Sequence, residues 1–201
     1  MLTHVWGLMA HPNREWKQIK QERETITHLY AHHVLLLAAI PVICSYIGTT
    51  QVGWSLGGGT TIKLSYLDAL GAGIAFYLVI LAAVYIVGKT IRYSAKRFPK
   101  TPSQSQCIIF AGYVATPMFL SGIVAIYPII WLCLLAGVIG LCYTAYLLYL
   151  GIPSFLDISE KEGFVVSSTT LAVGVLVLEG LLGMTVLLWG YGERIILSLL
   201  G

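Results

Sequence analysis

Residues 106–150 read QCIIFAGYVATPMFLSGIVAIYPIIWLCLLAGVIGLCYTAYLLYL, and this stretch decides the fold. It is apolar almost throughout, yet too long for one membrane crossing. A spanning helix needs about 20 residues, because it rises about 1.5 Å per residue across a hydrocarbon core of about 30 Å. Drawn as a single helix, these residues would extend about 67 Å, twice the bilayer. The chain must therefore reverse at Tyr127-Pro128. Proline lacks an amide donor and fits the first turn of a new helix. Two spans result, at about 106–126 and 128–150, joined as a tight hairpin.

Three further runs meet the same length criterion, at about 29–49 (LYAHHVLLLAAIPVICSYIGT), 66–88 and 164–190. The last contains Glu179. A mid-helix acid costs about 2.5–3.5 kcal/mol on the insertion scale, whereas Leu, Val and Phe each contribute roughly −0.3 to −0.6. With about fourteen such residues in the span, the sum is about −4 to −8 kcal/mol, so insertion wins. Runs such as LLLAAIPVIC and YLVILAAVYIVG do not alternate in polarity, which excludes a β-barrel.

Composition agrees. Hydrophobic residues make up 57% of the 201, charged residues 10%, and the net charge is +3. A soluble domain has about 25% charged residues, so this chain lacks the polar surface to cover a water-facing body. Neither a disordered composition nor the charge density expected of a nucleic-acid binder is present. The charged residues from Arg14 to Glu24 precede the first apolar run, and no clean cleavage pattern follows it, so the first span is expected to be retained rather than removed as a signal peptide.

Ten of the twelve basic residues fall on one side of this five-span layout. They are Arg14, Lys17, Lys20 and Arg23 before the first span, Lys89, Arg92, Lys96, Arg97 and Lys100 after the second, and Lys161 after the fourth. Only Lys63 and Arg194 fall on the other side. Basic residues near span ends favour the cytoplasmic face. The expectation is an all-α integral membrane protein of five transmembrane helices, N-terminus cytoplasmic and C-terminus periplasmic. Its parts are a cytoplasmic segment 1–28, a membrane domain 29–190 and a short periplasmic tail 191–201.

Residues 13–28 place Trp16, Ile19, Ile26 and Tyr30 near one helical face. This pattern predicts an amphipathic helix lying in the headgroup region; the alternative is a solvated helix packed on the loops. Lys89, Arg92, Lys96, Arg97 and Lys100 form a basic stretch without acids. It offers about 1 kcal/mol per residue toward anionic lipid headgroups, or serves only to set topology. Ser159 and Glu162 have capping-box spacing at the start of the fifth helix.

Within the bilayer, intramembrane acids usually face the bundle interior. Glu179 is expected there, as a structural hydrogen-bonding group or as part of an ion path. Asp68, near the outer start of the second span, is the weaker candidate. His28, His32 and His33 have i, i+4 geometry at the end of the first span, but no cysteine lies near enough to complete a zinc set, and they read as interfacial histidines. Cys44, Cys107, Cys133 and Cys142 lie in or beside spans without CxxC spacing and read as small apolar residues. No metal or cofactor is expected. The WSLGGGTT stretch at 54–61 reads as a flexible connector. Small residues at Ala69/Gly73, Gly71/Ala75, Ala111/Ala115 and Ala136/Gly140 have helix-contact spacing, and Pro41 and Pro117 are expected to kink their helices.

The stretches HVWGLMAHPNREW (4–16), FAGYVATPMFLSG (110–122) and YLLYLGIPSFL (146–156) resemble the Yip family of small polytopic membrane proteins, in its bacterial inner-membrane branch. Gly112, Tyr113 and Pro117 resemble that family's glycine–tyrosine motif in the third span. The resemblance covers essentially the whole chain and implies five spans with a cytoplasmic N-terminus. The acidic Asp-Leu-Tyr-Gly-Pro motif of eukaryotic members is absent, so their association with prenylated Rab-type GTPases is not carried over. The leading expectation is a non-enzymatic inner-membrane protein with a scaffold, partner-binding or bilayer-organising role. Its partners would be the bilayer, anionic headgroups, further copies or other membrane proteins, and no nucleic acid. The alternative is a small oligomeric transporter or ion pathway using Glu179.

Overall fold

A computed structural model describes residues 2–22, 24–55, 61–99 and 101–200, with side-chain detail confined to residues 4–183. Five helical segments are long and apolar enough to cross a membrane: Ile26–Val52, Tyr66–Ala95, Gln104–Ile126, Ile130–Leu156 and Glu160–Gly183. Two short helices precede them, α1 (Leu2–Ala10) and α2 (Pro12–Glu22). The first span comprises α3 (Ile26–Leu29), a π turn at Tyr30–Val34, α4 (Leu35–Ile47) and a second π turn at Gly48–Val52. The second is α5 (Tyr66–Ala95). The third is α6 (Gln104–Val114) and α7 (Thr116–Ser121), ending in a 3-10 turn at Gly122–Ile126. The fourth is α8 (Ile130–Leu156), and α9 (Glu160–Leu200) carries the fifth.

The helices start where polar caps satisfy their first amides. Ser65 Oγ accepts from the Asp68 amide at 3.2 Å and begins α5. Ser103 and Gln106 form a reciprocal capping box at the head of α6. Ser159 Oγ accepts from the Glu162 amide at 3.4 Å and donates to its carboxylate at 2.7 Å, as the spacing predicts. These bonds use amides that have no partner inside the helix. Pro117 sits in the first turn of α7, which follows α6 after an interruption at Ala115, whereas Pro41 lies inside α4. The reversal near residue 128 is also present, but Ile129 caps α8. Pro128 therefore lies in the turn itself, not in the first helical turn.

The third span forms the centre of the bundle. Of its apolar window, 61% is buried, against 11–28% in the other four. Tyrosine and serine hydroxyls tie the spans by donating to carbonyls of neighbouring helices. Tyr30 reaches Leu81 at 3.1 Å, Tyr77 reaches Leu35 at 2.9 Å, and Ser167 reaches Leu148 at 3.3 Å. In hydrocarbon, where helix association lacks a hydrophobic driving force, such bonds and close packing hold helices together. Among the small-residue pairs, Gly73 meets Val42 of α4 and Gly140 meets Ser121 and Met118, whereas nothing lies within 4 Å of a side chain placed at Gly71.

One end of the bundle gathers the segments that carry most basic residues. Lys20 Nζ pairs with Asp157 Oδ1 at 2.7 Å and also donates to the Ser154 carbonyl; Asp157 itself has a left-handed backbone (φ 55°) after α8. At the opposite end, the connector forms a two-residue antiparallel ribbon pairing Trp54 with Ile62 and Ser55 with Thr61. The rest of the glycine-rich connector lies outside the described residues.

The interfacial helix expected over 13–28 is corrected. The helix ends at Glu22, and Thr25 caps a new one. The apolar face of α2 packs on protein instead of lipid, with Trp16 0% and Ile19 1% exposed. Trp16 packs tilted against the Phe110 ring at a centroid distance of 4.6 Å and edge-on at 5.8 Å from Phe155. Gly151 makes room, because a Cβ there would lie 2.5 Å from Phe110 Cε2 and 2.7 Å from Trp16 Cε2. This aromatic slot buries the whole indole, which a headgroup layer does not.

Candidate functional site

The packing of α1 and α2 onto the basic end of the bundle builds a polar recess of about 530 Å³. It is lined by His4, Glu22, Glu24, Thr25, His28, His32, His33 and Tyr113. Helix α1 is anchored through its last carbonyls, to which Tyr143 donates at 2.9 Å (Met9) and 3.2 Å (Leu8). That anchoring places His4 between two carboxylates, Nδ1 at 2.5 Å from Glu15 and Nε2 at 3.2 Å from Glu22. Glu15 is nearly buried and stands behind His4, where a carboxylate is tolerable only with such a partner.

The opposite wall is the first span and the glycine–tyrosine motif. Gly112 admits the first span at close range, since a Cβ there would lie 2.7 Å from Leu29 Cδ2 and 3.1 Å from Val34 Cγ2. The Tyr113 hydroxyl donates to Glu24 Oε2 at 2.8 Å, and His28 Nδ1 lies 2.5 Å from the other oxygen of that carboxylate. The Tyr113 ring packs between His4 and His33, at centroid distances of 5.8 and 4.5 Å. His28 and His32 stack at 4.3 Å. His33, 2% exposed, places Nε2 3.0 Å from Thr116 Oγ1, and its Nδ1 is buried without a hydrogen-bond partner. Among the described residues, no group of three His, Cys, Asp or Glu is arranged to hold a metal ion.

The structure thus brings Tyr113 and the three histidines of the first span together with four groups outside the sequence-level candidates: His4, Glu15, Glu22 and Glu24. His4 sits on α1, Glu15 and Glu22 on α2 and Glu24 in the link to α3, and each reads individually as an ordinary polar residue. For Glu22 and Glu24 the available signal is the density of acids and histidines between Glu22 and His33; His4 and Glu15 lie outside that stretch.

The remaining candidates lie apart. Glu179 is on the exposed face of α9, which corrects its expected place in the bundle interior. The space between the spans is instead an apolar cavity of about 200 Å³, with α9 contributing Thr170, Leu171, Gly174, Val177, Leu178 and Leu181. Those positions form the face of α9 that packs inward, and Glu179 falls outside it. Asp68 is exposed and engaged in the α5 cap, where Ser65 Oγ donates to it at 2.6 Å. Of the basic stretch, Lys89 lies 5.2 Å over the Tyr85 ring, and Lys96 and Arg97 are exposed. Arg92 differs, because its Nη1 donates to Gln104 Oε1 at 2.8 Å and bridges α5 to α6; that bond makes it an interhelical tie more than a headgroup ligand. Lys100 is outside the described residues. The four cysteines are free thiols.

Comparison with known proteins bears on this arrangement. The Yip1 domain matches residues 6–181, which include His4's carboxylate partners, the glycine–tyrosine motif and all of the described spans up to Leu181. The chain is 59% identical over 194 residues to the inner membrane protein YohC of Escherichia coli strain K12, covering 96% of this chain and 100% of that protein. The same figures hold for YohC of E. coli O6:H1 strain CFT073. No solved structure matches. With the domain match spanning most of its length and an inner membrane protein as its relative, the chain belongs to the Yip1-domain family and is a multi-pass protein of the inner membrane.

Proposed function

We propose that this protein is a non-enzymatic scaffold of the inner membrane, oriented with its basic end toward the cytoplasm, and that the recess at that end is its working surface. One observation carries the reading. The polar side chains form a preorganised, open recess held by the Tyr113–Glu24 bond, whereas the centre of the bundle is apolar. A rigid polar cavity beside an apolar bundle suits recognition of something presented at the membrane surface. The excess of Lys and Arg on that end supports the orientation. Exposed Lys89, Lys96 and Arg97 at the same end suit contact with anionic headgroups.

The alternative, an ion or proton pathway through Glu179, has less support. Its carboxylate faces away from the bundle, and the interior cavity offers no row of polar groups to carry an ion. Photo-crosslinking in living cells tests the scaffold reading. A photoreactive residue at Thr25 or His32 should give discrete adducts that are absent when it replaces Leu67, which is 79% exposed at the opposite end of α5. Identical adduct patterns from all three positions would remove the recess as the working surface.

A further inference from the structure

We infer that the recess at the basic end binds a primary ammonium group, either in the headgroup of an aminophospholipid or in a free small amine. The inference rests on the reading of the recess as the working surface and names what it recognises.

The lining carries two carboxylates, Glu22 and Glu24, with Glu15 behind His4, and among the described residues no Lys or Arg lines it. An anion entering the recess meets carboxylates, while a cation is attracted. Each carboxylate accepts about four hydrogen bonds, and the bonds from Gln18 and His4 to Glu22, and from Tyr113 and His28 to Glu24, leave further lone pairs on both. An independent feature is the buried Nδ1 of His33, which has no partner although its residue lines the recess. In the tautomer whose Nε2–H donates to Thr116 Oγ1, that nitrogen is a bare acceptor. A buried acceptor without a donor is costly, and a ligand N–H removes the cost.

Glu22 at the end of α2, Glu24 before α3 and His33 in the π turn supply three acceptors from residues lining the recess, as many as the donors of a primary ammonium. The rings of Tyr113, His28 and His32 form the walls. At about 530 Å³ the recess is far larger than a bare ion needs and lies within the range of small-ligand pockets, roughly 300–1,000 Å³. Its mouth at Glu24 and Thr25, just before the first span, suits access from the membrane surface as well as by soluble amines.

The test uses the full-length protein in detergent, with bound ligand read by native mass spectrometry and calorimetry. The probes are phosphatidylethanolamine, phosphatidylcholine (the same phosphate, no N–H), phosphatidylglycerol (no amine) and the diamine putrescine. The expected result is retention of phosphatidylethanolamine over both other lipids, or saturable putrescine binding. Preference among lipids without putrescine binding assigns the lipid as the source; putrescine binding without lipid preference assigns the free amine. Glu22→Gln and His33→Gln should each weaken binding about tenfold, one charge-assisted bond's worth. Asp157→Asn, a carboxylate at the same end outside the recess, should not. Glu22 is partly exposed, so its variant keeps the test valid even if the His33 variant misfolds. Equal retention of all three lipids with no putrescine binding, or wild-type binding by Glu22→Gln, overturns the inference. Site-specific crosslinks from Thr25 that survive in Glu22→Gln would then leave the scaffold reading standing without it.

Discussion

The Tyr113 hydroxyl donates to Glu24 Oε2 at 2.8 Å, joining two residues 89 positions apart. It connects the glycine–tyrosine motif of the third span to the link between α2 and α3, and it holds the recess at a fixed width. The carboxylate also faces His28, so the bond belongs to a small network in which each member orients the next.

Tyr113→Phe should therefore loosen the N-terminal helices without unfolding the spans. A hydrogen bond to a charged group contributes about 1.5–3 kcal/mol. Limited proteolysis is expected to cut within residues 10–25 faster than in wild type, with the helical content of the bundle unchanged by circular dichroism. Equal cutting rates would show that the bond does not hold the cap.

Trp16→Ala should cost about 3–5 kcal/mol, the range for removing a buried aromatic side chain. Trp6→Ala, at a position 74% exposed, should change stability by no more than about 0.5 kcal/mol. Thermal unfolding in detergent compares the two. Equal, small effects would return α2 to the headgroup layer.

Arg92 and Lys96 lie four residues apart, yet their substitutions should differ. Arg92→Gln removes the bond to Gln104 and should destabilise the α5–α6 contact by about 1 kcal/mol or more. Lys96→Gln, on an exposed side chain, should stay within about 0.5 kcal/mol. In anionic nanodiscs the order reverses, and loss of Lys96 should reduce co-purified acidic lipid more than loss of Arg92 does.

Glu179→Leu replaces an acid on the outer face of α9 and should improve insertion of that span, by up to about 2.5–3.5 kcal/mol on the insertion scale. Folding and crosslinking at the recess should be unchanged. A loss of stability in this variant would reveal a partner for the carboxylate on another chain.

Gly174 lines the central cavity, and nothing lies within 4 Å of a Cβ placed there. Gly174→Leu should therefore fill space instead of clashing, raising stability by about 0.5–2 kcal/mol. By contrast, Gly151→Leu should destabilise, because its side chain would collide with Phe110 and Trp16. The pair of melting curves separates free volume from a closed slot.

What the sequence by itself determined is one-dimensional. The number of spans, the reversal near Pro128, the capping serines and the gathering of basic residues at one end all follow from apolar run length, local hydrogen bonding and the order of charges. These quantities do not depend on which neighbours a helix meets. Only the tertiary structure decided how each helix is turned about its axis. In a span that is apolar all round, no polar face announces which side points inward, so Glu179 was as compatible with the interior as with the surface where it lies. Trp16 read as a membrane anchor because its slot is made by Phe110, Phe155 and Gly151, residues about 95–140 positions away. The recess was hidden for the same reason. Its carboxylates and imidazoles come from α1, α2, the link to α3 and the first span, its tyrosine comes from α6, and only packing brings these elements to one point.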